Sequence, residues 1–274
     1  MLDTAGFNHH VGPLHESAPG QIQLTLAPQH LNVSGRMHGA MMMIVLTAAA
    51  EGKAKAELPS RGPDQTVQLV CADFGFVRSA QPGSHVIAQA QMARATRTLM
   101  FLNAQVLADG DTLCTATLTF AIVPRQSAVL AWPATPQAYP SPDVALRKPS
   151  NLLGEAIGPI YQHERAAGRM RTQFEVTARR CRPDAAELDD GMTLYVADSL
   201  GSRTANTSSG QLCVTVNLQM RRFASAPAGA WVDLETQTRH VQGDLVFVDG
   251  QFSVAGQPLA DFSGIWKGMG ARKG

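Results

Sequence analysis

The sequence predicts an α+β fold built twice: in each of two tandem repeats, one central helix is wrapped by an antiparallel sheet. Three observations carry this. The chain repeats itself: Val11-Gly12-Pro13-Leu14 recurs as Ile157-Gly158-Pro159-Ile160, and Gly83-x-x-Val86 recurs as Gly229-x-x-Val232, both at an offset of 146 residues (11 to 157, 83 to 229). Further along, Leu99-Met100-Phe101 lies over Leu245-Val246-Phe247, and Ala108-Asp109-Gly110 over Val254-Ala255-Gly256. A period this long marks a duplicated domain, because solenoid units are far shorter. Each repeat also holds a single helical segment, and the remainder of each repeat reads as strands.

The elements follow in order. Residues 124–150 contain Pro124, Pro133, Pro136, Pro140, Pro142 and Pro149 without apolar periodicity, which predicts an extended linker. The chain therefore divides into an N-terminal repeat (1–124), a Pro-rich linker (125–150) and a C-terminal repeat (151–274). In each repeat a Gly-Pro opening precedes a short strand. Gln21–Leu26 alternates polar and apolar residues, and Arg171–Val176 does so more weakly. A loop and one helix come next. The first helix, from about Gly39 to Ala56, is apolar nearly all round and must be buried. Longer strands finish each unit: Thr66–Phe76, Ser84–Ala95, Thr98–Ala108 and Leu113–Val123 in the first, then Leu212–Phe223, Ala230–Val241, Asp244–Val248 with Gln251–Val254, and Gln257–Trp266 in the second. Hairpin turns are expected at Ala108–Asp111 and at Asp249-Gly250. One buried helix wrapped by an antiparallel sheet is the hotdog architecture. Two in one chain make a double hotdog, its sheets joined side by side.

Composition narrows the function. The chain has 274 residues, 45% of them hydrophobic, with a net charge of +1. That is enough for a real core and argues against nucleic-acid or membrane partners held by bulk charge. Cys71, Cys114, Cys181 and Cys213 form no C-x-x-C pair and read as buried thiols in a reducing compartment. The N-terminus has no signal pattern and no apolar run is long enough for a membrane span, so the expectation is a soluble cytoplasmic protein. No H-E-x-x-H, G-x-S-x-G or P-loop occurs, and no metal or cofactor is expected.

The repeats differ where chemistry would sit. The first carries Asn32-x-x-Gly35-x-x-His38-Gly39 at the mouth of its apolar helix. The second lacks that run but carries Asp198 inside its helix, where the first has Thr47. The first motif resembles the N-x-x-G-x-x-H-G-G signature of hotdog acyl-CoA thioesterases of the phenylacetate-pathway type, in which a helix Asp follows nine residues after the His. Ala40 replaces the second Gly, and Thr47 replaces the Asp. Counting back nine from Asp198, Asp189-Asp190-Gly191 stands where His-Gly-Gly would be.

The resemblance implies a site shared between two hotdog units. One unit supplies Asn32 and the Gly39 N–H to hold the thioester carbonyl, with His38 either contacting the substrate or holding the loop. The other supplies Asp198 as base or nucleophile, with Thr215 on the next strand. Loop counting leaves open whether Thr66 or Leu69 stands opposite Thr215. One composite site is then complete, and its mirror, Thr47 facing Asp189–Gly191, is degenerate. The residue types suit the chemistry: a helix N-terminus offers unpaired N–H groups and a positive dipole end to a developing oxyanion. Arg78, Arg221 and Arg222 lie near the strand-to-turn edge where CoA phosphates sit in hotdog proteins, and Arg suits phosphate. The expectation is an acyl-CoA thioesterase whose chains self-associate into a dimer or larger assembly. A non-catalytic acyl-CoA-binding protein and an enoyl-CoA hydratase are the rivals, although the Asp/His or Glu/His pair of the hydratases is not found.

Overall fold

A computed structural model describes residues 7, 11–12, 14–60, 64–125, 145–147, 149, 151–182 and 185–270. The N-terminal repeat runs β1 (His15–Ala18), β2 (Gln21–Thr25), α1 (Gly39–Ala56), β3 (Gln65–Phe76), β4 (His85–Ala95), β5 (Leu99–Ala108) and β6 (Asp111–Pro124). The second part runs β7 (Ala145–Arg147), α2 (Leu152–Ile157), β8 (Ile160–Ala166), β9 (Arg169–Glu175), α3 (Asp190–Ser209), β10 (Cys213–Arg222), β11 (Trp231–Gln242), β12 (Leu245–Val254) and β13 (Gln257–Gly268). The strands form one sheet in the order β1-β2-β4-β5-β6-β3-β10-β13-β12-β11-β9-β8-β7, every neighbouring pair antiparallel. This is the double hotdog: α1 lies on the inner face of one half, α3 on that of the other, and the two helices pack together.

The halves meet at β3 and β10. There Asp73 pairs with Gln219, its own equivalent 146 residues on, so a pseudo-two-fold axis passes between them. The Asp73 carboxylate clamps the seam, accepting from Asn217 Nδ2 at 2.8 Å and Gln219 Nε2 at 2.7 Å. The register also fixes the partner of Thr215. The β3–β6 ladder slips between Leu69 and Cys71, and the β10–β13 ladder slips between Thr215 and Asn217. The two bulges lie 146 residues apart, so Leu69 is the equivalent of Thr215.

Helix α1 begins and ends where the sequence places it. Nearly every side chain from Ala40 to Ala50 is buried. Alternation along the strands does the same for the sheet: Val86, Ala88 and Ala90 point inward while Ile87 and Gln89 do not.

Three expectations need correction. Asp249-Gly250 is not a turn but the middle of β12, and the turn lies at Ala255-Gly256, both with positive φ (49° and 80°). Gly250 is required for packing, since a Cβ there would stand 2.1 Å from Phe262 Cε1. Part of the Pro-rich stretch, Ala145–Arg147, is an edge strand paired with β8, while residues 126–144 lie outside the described residues. Finally, α2 precedes and β8 follows the second Gly-Pro pair, Gly158-Pro159, in a stretch the pattern left irregular.

Candidate active site

The start of α1 and the middle of α3 meet beside the seam. A Cβ on Gly39 would lie 3.4 and 3.7 Å from the two carboxylate oxygens of Asp198 and 3.3 Å from Phe76 Cε1. Gly39 and Asp198, from opposite repeats, therefore line one space that only a glycine leaves open. Among the described residues the Gly39 N–H meets no acceptor. It is a first-turn donor at the positive end of an 18-residue helix.

Asp198 is 2% exposed, yet its carboxylate is specifically held. Thr215 Oγ1 donates to Oδ1 at 2.5 Å. Oδ2 lies 3.4 Å from His38 Nδ1. His38 is the N-cap of α1, and its Nδ1 accepts the Ala40 N–H at 3.0 Å. One imidazole nitrogen cannot accept from Ala40 and donate to Asp198 at once. While His38 caps the helix, the contact with Asp198 is therefore not a salt bridge. The ring also rests against Tyr195, three residues before Asp198, with centroids 5.7 Å apart.

Asn32 organises the approach to α1. Its Oδ1 accepts the backbone N–H groups of Ser34 (2.9 Å) and Arg36 (3.3 Å), which closes the turn containing Gly35 at φ 70°. Its acceptor end is thus spent on the loop.

Two neighbours escaped the sequence reading. Phe76 ends β3 against Gly39, and Cys114 pairs with it on β6. Burial, with the Asp198 charge adding, pushes the Cys114 thiol up to about 12, which leaves it inert as a nucleophile. Phe76 has a signal in the repeat: its equivalent 146 residues on is Arg222, an abrupt change at one position.

The mirror positions are filled by a different construction. Asp189 caps α3 as His38 caps α1, with Oδ1 accepting the Gly191 N–H at 2.7 Å. Where Gly39 meets Phe76, the equivalent Asp190 pairs with Arg222. Where Asp198 meets Thr215, the equivalents are Thr47, whose buried Oγ1 has no partner among the described residues, and Leu69. A Cβ on Gly191 would stand 2.8 Å from Phe7 and 3.2 Å from Ile44, so apolar side chains close this end. Arg182 ties the cluster to the other repeat through Glu51.

The arginines separate. Arg222 is not available to a phosphate: its guanidinium is buried and spent on Asp190, the Ala224 and Leu188 carbonyls and Ser225 Oγ. Its neighbour Arg221 points to the opposite face, as strand alternation requires, and holds Asp261 through two bonds of 2.8 and 2.9 Å. Arg78 is exposed and paired with Asp111. Among the described residues no cluster of His, Cys, Asp and Glu could hold a metal, and no helix is long and apolar enough to cross a membrane.

Residues 27–121 match the family model described as the acyl-CoA thioesterase N-terminal domain. A TesB protein of Mycobacterium avium subsp. paratuberculosis is similar over 96% of this chain and 97% of its own, at 14% identity and a TM-score of 0.72. An acyl-CoA thioesterase II, TesB2, of Mycobacterium marinum covers 96% and 98% at 11% identity and a TM-score of 0.65. A hotdog-fold protein of unknown function from Alicyclobacillus acidocaldarius covers 96% and 98% at 14% identity and a TM-score of 0.70. At these identities the likeness shows the fold. No curated protein matches the chain.

Proposed function

We propose that this chain is an acyl-CoA thioesterase with one composite site, built from the start of α1 and the middle of α3. The observation that carries the reading is the position of the Asp198 carboxylate, against Gly39 and hydrogen-bonded by Thr215 at 2.5 Å. The Gly39 N–H receives the thioester carbonyl oxygen, and Asn32 adds a donor through Nδ2. Thr215 occupies Oδ1, which leaves Oδ2 to act. As general base, Asp198 takes a proton from water, the hydroxide bonds to the carbonyl carbon, and the C–S bond breaks. The CoA thiolate leaves and takes up a proton, so the products are a carboxylic acid and CoA. As nucleophile, Asp198 would instead form an acyl anhydride that water opens. A single turnover in ¹⁸O-water labels Asp198 only in the second route.

His38 acts by holding the helix start, and the mirror positions serve stability. Arg78 and Arg221 can turn to CoA phosphates only by leaving Asp111 and Asp261. The test is thiol release from a panel of aryl, medium-chain and long-chain acyl-CoAs. Saturable release of one thiol per thioester supports the reading. Tight binding without turnover would make the chain an acyl-CoA-binding protein, and loss of enoyl-CoA absorbance without thiol would make it a hydratase.

A further inference from the structure

Two buried glycines flank a single side chain inside the C-terminal repeat, one helical turn from Asp198. Gly201 lies three residues after Asp198 on α3, and Gly264 lies on the inner face of β13. Neither has a positive φ, so the backbone does not call for glycine at either place, and a glycine inside a helix or a strand weakens it. What both accommodate is an indole. A Cβ on Gly201 would stand 2.5 Å from Trp266 Cη2, and one on Gly264 would stand 2.6 Å from the same atom. Trp266 is fully buried, and its Nε1 donates to Ser202 Oγ at 2.9 Å. At the matching positions of the N-terminal repeat stand Ala50, Leu118 and Phe120, all buried and none of them glycine.

The indole stands at the inner end of the composite site. Trp266 is the β13 partner of Thr215, so the two side chains lie side by side on the inner face of the sheet, and Thr215 holds Asp198. The loop before α1 and the end of β3 expose Val33 and Val77 and mark the solvent side, so a bound CoA lies there and its acyl group points inward. Inward, the walls are aromatic: Phe76 against Gly39, Tyr195 against His38, and Trp266 against the next turn of α3. Beyond Trp266 the contact between α3 and β11 is polar and already satisfied. Thr204 Oγ1 bonds Thr236 Oγ1 at 2.6 Å, and Ser208 Oγ bonds Thr238 Oγ1 at 2.5 Å. An alkyl chain pushed that far would part buried hydroxyl pairs and leave them without partners.

We infer that Trp266 ends the acyl site and sets the acyl length this chain accepts. The floor lies one helical turn from Asp198, ~5 Å, which admits acyl groups of about six carbons or fewer. Longer alkyl chains meet the indole. Without it, glycines on both walls would leave a hollow on the order of 150 Å³, the size that takes up a benzene ring in an apolar core. This length limit rests on the composite site proposed above. It concerns where the acyl group lies, and it holds whether or not the thioester is cleaved.

The test is calorimetric binding of S-alkyl-CoA thioethers, from ethyl to dodecyl, to the full chain. For the wild type, affinity should rise about four-fold per methylene up to about the hexyl thioether and then flatten. Trp266→Leu should keep rising beyond hexyl and bind the decyl thioether about ten-fold or more tighter than the wild type does, with the affinity for short thioethers little changed. Trp266→Phe, which copies Phe120 and disturbs packing less, should fall between the two. Ser202→Ala removes the Nε1 bond without emptying the space and should keep the wild-type profile. Circular dichroism shows which variants are folded. No binding of any thioether, a wild-type affinity that climbs unbroken to dodecyl, or folded Trp266 variants that keep the wild-type profile or weaken every length alike would each overturn the inference. Thiol release from the matching acyl-CoAs is read separately. A break in binding at hexyl without thiol release upholds the length limit and removes the thioesterase reading, whereas release without the break does the reverse.

Discussion

Asp198→Asn separates a catalytic carboxylate from a structural one, because the two roles move activity and stability in different directions. Asp198 is 2% exposed, with one strong donor, Thr215, at 2.5 Å, and a His38 nitrogen at 3.4 Å that is already occupied by the Ala40 N–H. An amide keeps the volume, and its oxygen still accepts from Thr215. What it removes is a buried carboxylate, and replacing a buried ionised group by a neutral one of the same volume is often neutral or stabilising. Recovering even ~1 kcal/mol raises Tm by roughly 2–4 °C in a chain of this size. Activity must fall instead: a positioned general base contributes about 10²–10⁴-fold, which is ~2.7–5.5 kcal/mol of barrier. The assay is thiol release beside a thermal melt of the same preparation. The expected result is a loss of at least 100-fold with Tm unchanged or raised. Activity within a factor of about five of wild type refutes the role of Asp198, and a fall in Tm with activity per folded chain retained shows it to be structural.

Other perturbations test the surrounding parts. Thr215→Val removes a hydrogen bond to a charged group worth ~1.5–3 kcal/mol, so kcat/KM should fall about 10- to 150-fold; an unchanged value removes Thr215 from the site. Thr47→Val replaces a buried hydroxyl without a partner by an isosteric methyl and should raise Tm while leaving thiol release unchanged, and a loss of turnover would show the mirror site to be working. Asp189 is pushed up to about 7 by burial and then by Glu51, against the lowering effects of the Gly191 N–H, Arg182 and Arg222. The folded chain thus keeps this proton to near neutrality while the unfolded chain releases it near 3.8, so stability falls as pH rises from about 4 to about 7. Asp189→Asn should remove that slope and barely change turnover, as denaturant melts across this range and thiol release will show.

Much of this arrangement was legible from the repeat. The 146-residue offset gave the duplication, and the all-apolar segment gave α1 to the residue. Asp198 stood out because its equivalent is Thr47, and the same comparison would have exposed Phe76 against Arg222. What escaped has physical causes. Gly250 carries a turn signal as strong as that of Gly256, and only the Phe262 ring above it, brought by a different strand, explains a glycine within β12. Arg221 and Arg222 look alike in sequence. Strand alternation sends one outward and the other into a buried pocket whose partner, Asp190, is distant along the chain. Loop counting could not settle whether Thr66 or Leu69 is the equivalent of Thr215, because each of the two strands carries a bulge there and bulges leave little trace in composition.

Binding stoichiometry addresses one composite site per chain most directly. A thioether analogue of an accepted acyl-CoA, which cannot be hydrolysed, is titrated calorimetrically into the full chain and into Gly39→Leu, whose side chain would occupy the space beside Asp198. The account predicts one equivalent bound per chain and none in the variant. Two equivalents of similar affinity, or one retained in Gly39→Leu, would contradict it.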